Sequence, residues 1–221
     1  MDILQAIRER RSIRAFLDVP VGRKTLEAVL DAARWAPSGV NAQPWEVVVV
    51  TGESKKRLTE ELLKARRAGE RERPDYAIYP SSWKEPYLSR RKACGLALYK
   101  ALGIGKEDSD RKLKSWELNY AFFGAPAGLL FFLDRDLVQS SWVDIGMFIQ
   151  NVMLAALAHG LGTCPQAALA EYPDIARRVL GVPETKALVC GLSIGVPDLS
   201  APVNGYRTAR EGTPVFTTWR E

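Results

Sequence analysis

Histidine and cysteine are scarce in this sequence. One histidine, His159, and three cysteines occur among 221 residues. Cys94, Cys164 and Cys190 lie far apart and form no C-x-x-C pair, which argues against a zinc site and against a disulfide framework. We therefore predict no metal and a reducing compartment, the cytoplasm.

The glycine motifs that commonly hold nucleotides are absent as well. There is no G-x-x-x-x-G-K-S/T, and no G-x-G-x-x-G follows a predicted strand, so neither a P-loop nor a Rossmann fingerprint is predicted. A Cys-His nucleophile stays open as an alternative, because Cys164 follows His159 by five positions. We favour His159 as the cap of a buried helix. An enzyme with so few reactive side chains would depend on a bound cofactor.

No segment indicates a secretory signal or a membrane span. The N-terminus becomes charged before any long apolar run, and the most apolar stretch, residues 145–162, contains Gln150, Asn151 and His159. The apolar share of 47% and charged share of 26% are typical of folded proteins, so we expect one domain over residues 1–221. The net charge of +5 favours a small phosphorylated ligand over nucleic acid, although a nucleic-acid binder using the basic N-terminus is kept as a rival.

Hydrophobic periodicity predicts a mixed α and β domain with a central sheet. Helices are expected at residues 3–9, 23–35, 54–68 and 142–158, the last apolar on most sides. Strands are expected to begin at Glu46, Ala127 and Ala187. The run EVVVVTG at residues 46–52 is typical of a strand covered on both faces.

Two segments lie outside this pattern. Residues 70–120 form an insertion with Tyr76, Tyr79, Trp83 and Tyr87 among prolines and charges, which predicts either a mobile lid over a pocket or a surface excursion packed by its own rings. Residues 197–221 are rich in Pro and Gly and end in a strand-like VFTTW. Such an arm has little core of its own, so we expect it to pack on a partner subunit.

An arginine cluster, RERRSIRAF at residues 8–16, is the strongest candidate site. Arg10, Ser12 and Arg14 alternate, so an extended backbone would aim all three in one direction while Ile13 points inward. Guanidinium groups suit phosphate oxygens, although a solvated basic face is the alternative.

A second motif, PSGVNAQPW at residues 37–45, offers hydrogen-bonding groups next to a glycine and leads into a strand. The order RRSIR, PSGVNAQPW, FFGAP, WVDIGMFIQNVMLAALAHGLGT and RTARE resembles the FMN-dependent nitroreductase superfamily, in which iodotyrosine deiodinase is a more distant relative. The resemblance covers nearly the whole chain. It implies a nitroreductase-like fold of the α+β class, in which helices flank a central mixed β-sheet. It also implies a C-terminal arm that is exchanged in a homodimer, with flavin sites at the interface.

The resemblance also implies which residues bind the cofactor. The cofactor-binding residues it indicates are Arg10, Arg11, Ser12 and Arg14 at the FMN phosphate and ribityl chain; Pro37, Ser38, Gly39 and Asn41 in a loop that contacts the flavin of the other subunit; Gln166, Ala167 and Ala168 at the reactive ring nitrogen; and Arg207 and Arg210 in the arm. Where relatives have Glu-Gly or hydroxyl residues this chain has Gln166, Ala167 and Ala168, so the backbone N–H groups of the two alanines are the expected donors. No side chain is assigned a catalytic role.

The activity implied is a ping-pong cycle. NADPH or NADH would reduce FMN and leave, and a small aromatic acceptor would take its place, nitroaromatics being reduced through nitroso compounds to hydroxylamines. The alternatives within the superfamily are reductive dehalogenation of halophenols and reduction of free flavins or activated alkenes. Glu70, Glu72 and Lys84 would imitate the grip of a deiodinase on a zwitterion.

Overall fold

A four-stranded antiparallel sheet forms the centre of the protein, whose computed structural model describes residues 2–221. The strands are β1 (Glu46–Thr51), β2 (Ala127–Asp134), β3 (Gly162–Gln166) and β4 (Lys186–Gly195). Their order across the sheet is β1-β2-β4-β3. The prediction of a mixed sheet is wrong in this respect, because all three strand ladders are antiparallel. Parallel pairing within residues 2–221 is limited to a single bridge between Ser12 and Thr163.

Helices cover both faces of the sheet. They are α1 (Ile3–Glu9), α2 (Arg23–Ala33), α3 (Gly52–Arg67), α4 (Tyr87–Ala101), α5 (Ser109–Glu117), α6 (Gln139–Ala158), α7 (Pro173–Leu180) and the short α8 (Thr213–Phe216). The four helices expected from periodicity are confirmed to within a few residues at their ends, as helix boundaries usually are.

The two faces of β2 explain the core. Leu129 and Phe131 pack with residues of α2 and α6, whereas Leu130 and Phe132 pack with residues of α3 and α7. This is the two-residue alternation of a strand buried on both sides. The helix α6 is long and apolar enough to cross a membrane by length and composition, but Ile145 and the side chains that follow it on the same face are buried against the sheet. It is the core helix of this fold.

β1 differs from its prediction. It lies at an edge of the sheet, only Val50 is buried, and Val49 is 39% exposed. Val47 packs against the core layer of α2 and α6 and Val48 against that of α3 and α7, so this edge strand is covered on both faces only in part.

The segment 70–120 has an anchored beginning and an exposed remainder. The Tyr76 hydroxyl donates to the Val189 carbonyl at 2.7 Å, and its ring lies 4.7 Å from that of Trp142. Beyond it, α4 and α5 contain no buried residue. The aromatic rings of the segment are thus not packed only on one another, and the choice between lid and surface excursion stays a prediction.

The end of the chain is not a strand. Where VFTTW was predicted to be strand-like, Val215 and Phe216 belong to the short helix α8 and the residues after them are irregular. Pro214 lies in the first turn of that helix, where a fixed φ and a missing N–H are tolerated. No strand of the described chain pairs with this segment.

Candidate functional site

The arginine cluster follows α1 and is held in place by Ile13. The Ile13 N–H donates to the Thr163 carbonyl at 2.8 Å, and its side chain is buried. Ser12, next to it, forms the bridge to β3. Ile13 therefore points inward as expected, and its neighbours Ser12 and Arg14 face a common cavity.

That cavity, of about 550 Å³, is lined by an unusual number of cations. The arginines around it, which we call the arginine cavity, are Arg8, Arg10, Arg11, Arg14, Arg207 and Arg210. Ser12, Gln150, Tyr206 and Thr208 supply further polar groups. No Asp or Glu lines it, and within residues 2–221 none of the six arginines forms a salt bridge.

The electrostatics of the cavity suit an anion. Burial, together with the nearby charge of Arg210, lowers the pKa of Arg10. The Nε atom of Arg11 is buried without a hydrogen-bond partner among the described residues. A buried unpaired donor is costly, and so is a cluster of like charges, unless an anion compensates for both. The cavity therefore fits a phosphate group.

The C-terminal arm completes this cavity. The guanidinium of Arg207 donates to the Arg8 carbonyl at 2.6 Å, which ties the arm to α1. Asn204 accepts from the Arg14 N–H at 2.8 Å, and the Arg14 guanidinium donates to the Tyr206 hydroxyl at 3.2 Å. Arg210 donates only to atoms of Thr208 and Ala209, so its charge is free to meet a ligand.

A second, larger cavity of about 1120 Å³ adjoins the first and shares Arg14 with it. We call it the acceptor cavity. It lies between α4, α5 and the segment Pro165–Ala168. Leu98, Trp116 and Phe123 contribute to its apolar wall.

Gln166, Ala167 and Ala168 all line the acceptor cavity, but the Gln166 side chain is committed elsewhere. It donates to the Asn119 carbonyl at 2.7 Å and accepts from the Ser193 hydroxyl. Ala167 and Ala168 begin a 3₁₀ turn, whose first N–H groups have no partner within the turn. Main-chain donors are therefore present at this place, whereas a side-chain donor from Gln166 is not.

The loop containing Pro37, Ser38, Gly39 and Asn41 lines neither cavity. Its shape is nevertheless fixed: the Gly39 N–H donates to the buried Asp144 carboxylate at 3.2 Å, and Ser38 Oγ accepts from the Gln43 N–H at 3.0 Å. Val40 and Asn41 have φ values of 48° and 58°, a strained region for side-chain-bearing residues. Within a single chain, this loop therefore does not border the arginine cavity.

The sequence model of the Nitroreductase family matches residues 7–196. The chain belongs to the nitroreductase family. It is 37% identical to the 4-nitrobenzoate reductase of Pseudomonas putida, over 98% of this chain and 94% of the relative. It is 38% identical to the nitrobenzene nitroreductase of Ectopseudomonas oleovorans, over 96% of this chain and 94% of the relative.

A solved structure of a nitroreductase extends the likeness to the whole fold. The FMN and NADPH-dependent nitroreductase NfnB from Sphigopyxis sp. strain HMH superposes with a TM-score of 0.97 at 38% identity, covering 100% of both chains. Iodotyrosine deiodinase of Nematostella vectensis is more distant, at 28% identity over 91% of this chain and 69% of that protein.

Some lining residues of this nitroreductase were not predicted from its sequence. Tyr206 and Thr208 lie four and two residues before the predicted Arg210, and this spacing, which places side chains on one face of an extended segment, would have been the signal for them. Gln150 stands out as polar within an apolar helix, which is a signal that the side chain has a partner.

The Cys-His alternative does not fit this geometry. Cys164 is buried, and burial raises the pKa of its thiol, whereas His159 is exposed at the end of α6. A nucleophilic cysteine needs a lowered pKa. Among the described residues no cluster of three or more His, Cys, Asp or Glu side chains suits a metal ion.

Proposed function

We propose that this protein is an FMN-dependent, NADPH-oxidising nitroreductase that reduces nitroaromatic compounds. The observation that carries the proposal is the arginine cavity. Six arginines without carboxylate partners line it, and it adjoins the acceptor cavity at Arg14, which lines both. The likeness to NfnB, which is described as FMN and NADPH-dependent, points the same way. NADH is the alternative reductant.

In this proposal the two cavities hold different parts of FMN. The phosphate and ribityl chain occupy the arginine cavity, bound by Arg10, Arg11, Ser12 and Arg14 with Arg207 and Arg210 of the arm. The flavin ring lies against the segment Pro165–Ala168, where the N–H groups of Ala167 and Ala168 stabilise negative charge on it. Pro37, Ser38, Gly39 and Asn41 reach the flavin of the other subunit.

The redox chemistry would be that of FMN, which exchanges a hydride with the nicotinamide and electrons with the acceptor. A nitro group takes up two electrons and two protons to give a nitroso group and water, and the same again gives the hydroxylamine. The chain itself binds and orients the cofactor and the substrates, and it excludes water. The acceptor cavity serves both substrates in turn, which makes the cycle ping-pong, and the 70–120 segment is the lid that covers it.

The active form is a homodimer in which the arm of residues 197–221 lines the arginine cavity of its own chain and extends onto the partner with its last residues. Phe216 and Trp219 of the arm are 71% and 81% exposed, and Ile3, Leu4 and Ile7 expose the apolar face of α1. Such surfaces mark interfaces. Sedimentation of the full chain and of a chain ending at residue 211 tests this. The full chain should sediment as a dimer, and the shortened chain should dissociate into monomers at a higher protein concentration than the full chain does.

A dehalogenase of the deiodinase type is not favoured. Glu72 is paired with Arg66 at 2.8 Å, and none of Glu70, Glu72 and Lys84 lines the acceptor cavity. The charged grip on a zwitterion is therefore not assembled by these residues. The three cysteines, which are free in the described structure, support a location in the reducing cytoplasm.

The proposal is tested by the spectrum of the purified protein. A yellow protein that NADPH bleaches without oxygen, and that a nitroaromatic reoxidises, supports it. Faster reoxidation by a halophenol would favour the dehalogenase. A colourless protein that cannot be reconstituted with FMN would overturn it.

A further inference from the structure

All the charged side chains that line the acceptor cavity are cationic. They are Arg14, Arg91, Lys92, Lys100, Lys106 and Lys112, and no Asp or Glu lines the cavity. Within residues 2–221 none of the six forms a salt bridge. Two neighbouring cations that do not line it are paired: Arg90 with Glu211 at 3.1 Å and Arg111 with Asp108 at 3.4 Å. The carboxylates of Asp108 and Glu211 therefore pair with cations of the outer surface, and the cavity stays positive.

Lys112 is the best fixed of these cations. Its side chain donates to the Lys106 carbonyl, and its ammonium lies 5.7 Å from the centre of the Tyr99 ring, a cation–π distance. Arg111, next to it on α5, donates to the carbonyls of Gly103 and Leu102 at 2.8 and 3.1 Å, which holds the turn between α4 and α5 in shape. An ammonium placed in this way loses little further freedom when it meets an anion.

The rest of the cavity wall is apolar. Leu98, Ile104 and Trp116 border the same space as Lys112, and Phe123 lies on the side of the shared Arg14. A flat aromatic body fits such a wall, while the cations at its margin require a negative group on that body. A neutral acceptor would leave them without a counter-charge.

We infer that the protein selects acceptors carrying an anionic group, that is, nitroaromatic carboxylates in preference to neutral nitroaromatics, and that Lys112 with Lys106 is the selecting pair. This rests on the proposed function. The two curated relatives leave the question open, since one is named for an anionic substrate and the other for a neutral one. The 2′-phosphate of NADPH is a second source of negative charge for the same cations.

The first test measures the binding of two nitroaromatic compounds to the oxidised, FMN-loaded enzyme, with the change in flavin absorbance as the signal. 4-Nitrobenzoate and 4-nitrobenzamide have nearly the same shape and differ in charge. The wild type should bind the benzoate at least about fivefold more tightly, and added salt should reduce the difference. Lys112→Met and the double variant Lys106→Met/Lys112→Met should remove the preference, and Lys112→Arg should keep it.

The matched control is Lys114→Met. Lys114 lies on the same helix as Lys112, is exposed and does not line the cavity. Both substitutions replace a lysine by methionine, so they change the net charge equally. The Lys114→Met variant should retain the wild-type preference. Equal binding of benzoate and benzamide by the wild type, or an equal loss of the preference in Lys112→Met and in Lys114→Met, would overturn the inference.

Stopped-flow measurement of each half-reaction separates the two sources of charge. If Lys112→Met slows reduction by NADPH but not by NADH, and leaves the preference for the benzoate intact, the cations recognise the 2′-phosphate and the inference about acceptors is wrong. If the wild type reduces both nitro compounds equally well, only this inference fails. If it reduces neither, the proposed function fails.

Discussion

The side chain of Ile13 packs directly on the bare backbone of Gly162. A Cβ atom at Gly162 would lie 2.7 Å from Ile13 Cγ1 and 3.1 Å from its Cβ, both too close. Because Ile13 is the inward residue between Ser12 and Arg14, this contact sets how far the arginine segment stands from β3. A residue of the fold thus positions residues of the site.

Gly162→Ala tests that link. The added methyl group should displace Ile13, lower stability by about 1 to 3 kcal/mol and weaken FMN binding about tenfold or more. Urea unfolding and flavin titration of the apoprotein measure the two effects. Gly22→Ala is the control, since a Cβ there has no neighbour within 4 Å. An unchanged FMN dissociation constant in the Gly162 variant would show that the register of Ile13 does not control the site.

Arg14 lines both cavities, so its replacement should weaken cofactor binding. Arg14→Ala removes a charge-assisted contact worth about 1.5 to 3 kcal/mol, so FMN retention should fall about tenfold or more. Equilibrium dialysis of FMN against the variant measures it. Arg34→Ala, which removes an exposed arginine paired with Asp31, should bind FMN as the wild type does. Equal retention in both variants would contradict the phosphate assignment.

A buried ion pair anchors the beginning of the 70–120 segment. Asp75 and Arg177 are 4% and 5% exposed and lie 2.6 Å apart, and the Leu188 N–H also donates to Asp75. Burial would raise the pKa of Asp75, but hydrogen bonds from Arg177, Leu188 and Arg135 outweigh it and lower the pKa below its ordinary value. A carboxyl group with a depressed pKa stabilises the fold above its unfolded pKa, and this stabilisation is lost as pH falls through the folded one.

Asp75→Asn should therefore destabilise the protein near pH 7, by about 1.5 to 3 kcal/mol, because Arg177 loses a buried charge-assisted partner although it keeps Asp174 at 2.6 Å. The wild type should lose stability as the pH falls below the ordinary aspartate pKa, and the variant should lose less over the same range. Urea unfolding at several pH values compares them. Asp31→Asn, at an exposed pair, is the control. Parallel pH profiles for the wild type and the Asp75 variant would contradict the argument.

The local parts of this structure were predictable from sequence, and the parts set by distant neighbours were not. The alternation in RRSIR was enough to predict an inward Ile13 between outward polar residues. The exposure of β1 depends on its position in the sheet, which no run of valines encodes. Gln166 is lost as a donor to a ligand because its amide N–H donates to the Asn119 carbonyl, while its amide oxygen accepts from Ser193, which β4 brings beside it. Only pairing across the sheet could reveal that contact.

In the loop at Pro37–Asn41, one carboxylate holds residues with a strained backbone. Asp144 accepts the Gly39 N–H, next to Val40 with its positive φ and full exposure. Asp144→Ala should free the loop to relax, leave the Gly39 N–H unpaired and cost about 1 to 3 kcal/mol of stability. Asp144→Asn keeps an acceptor oxygen and should recover most of it.

The same pair of variants distinguishes a structural role of this loop from contact with the partner's flavin. If the loop reaches across the dimer, Asp144→Ala should speed FMN release from the dimer, because a contact is lost that the arginine cavity does not supply. In a monomer-forming variant lacking the end of the arm, the substitution should leave FMN release unchanged. Equal acceleration in both backgrounds would mean that the loop acts within its own chain, through α6, and that the expected contact across the interface is wrong.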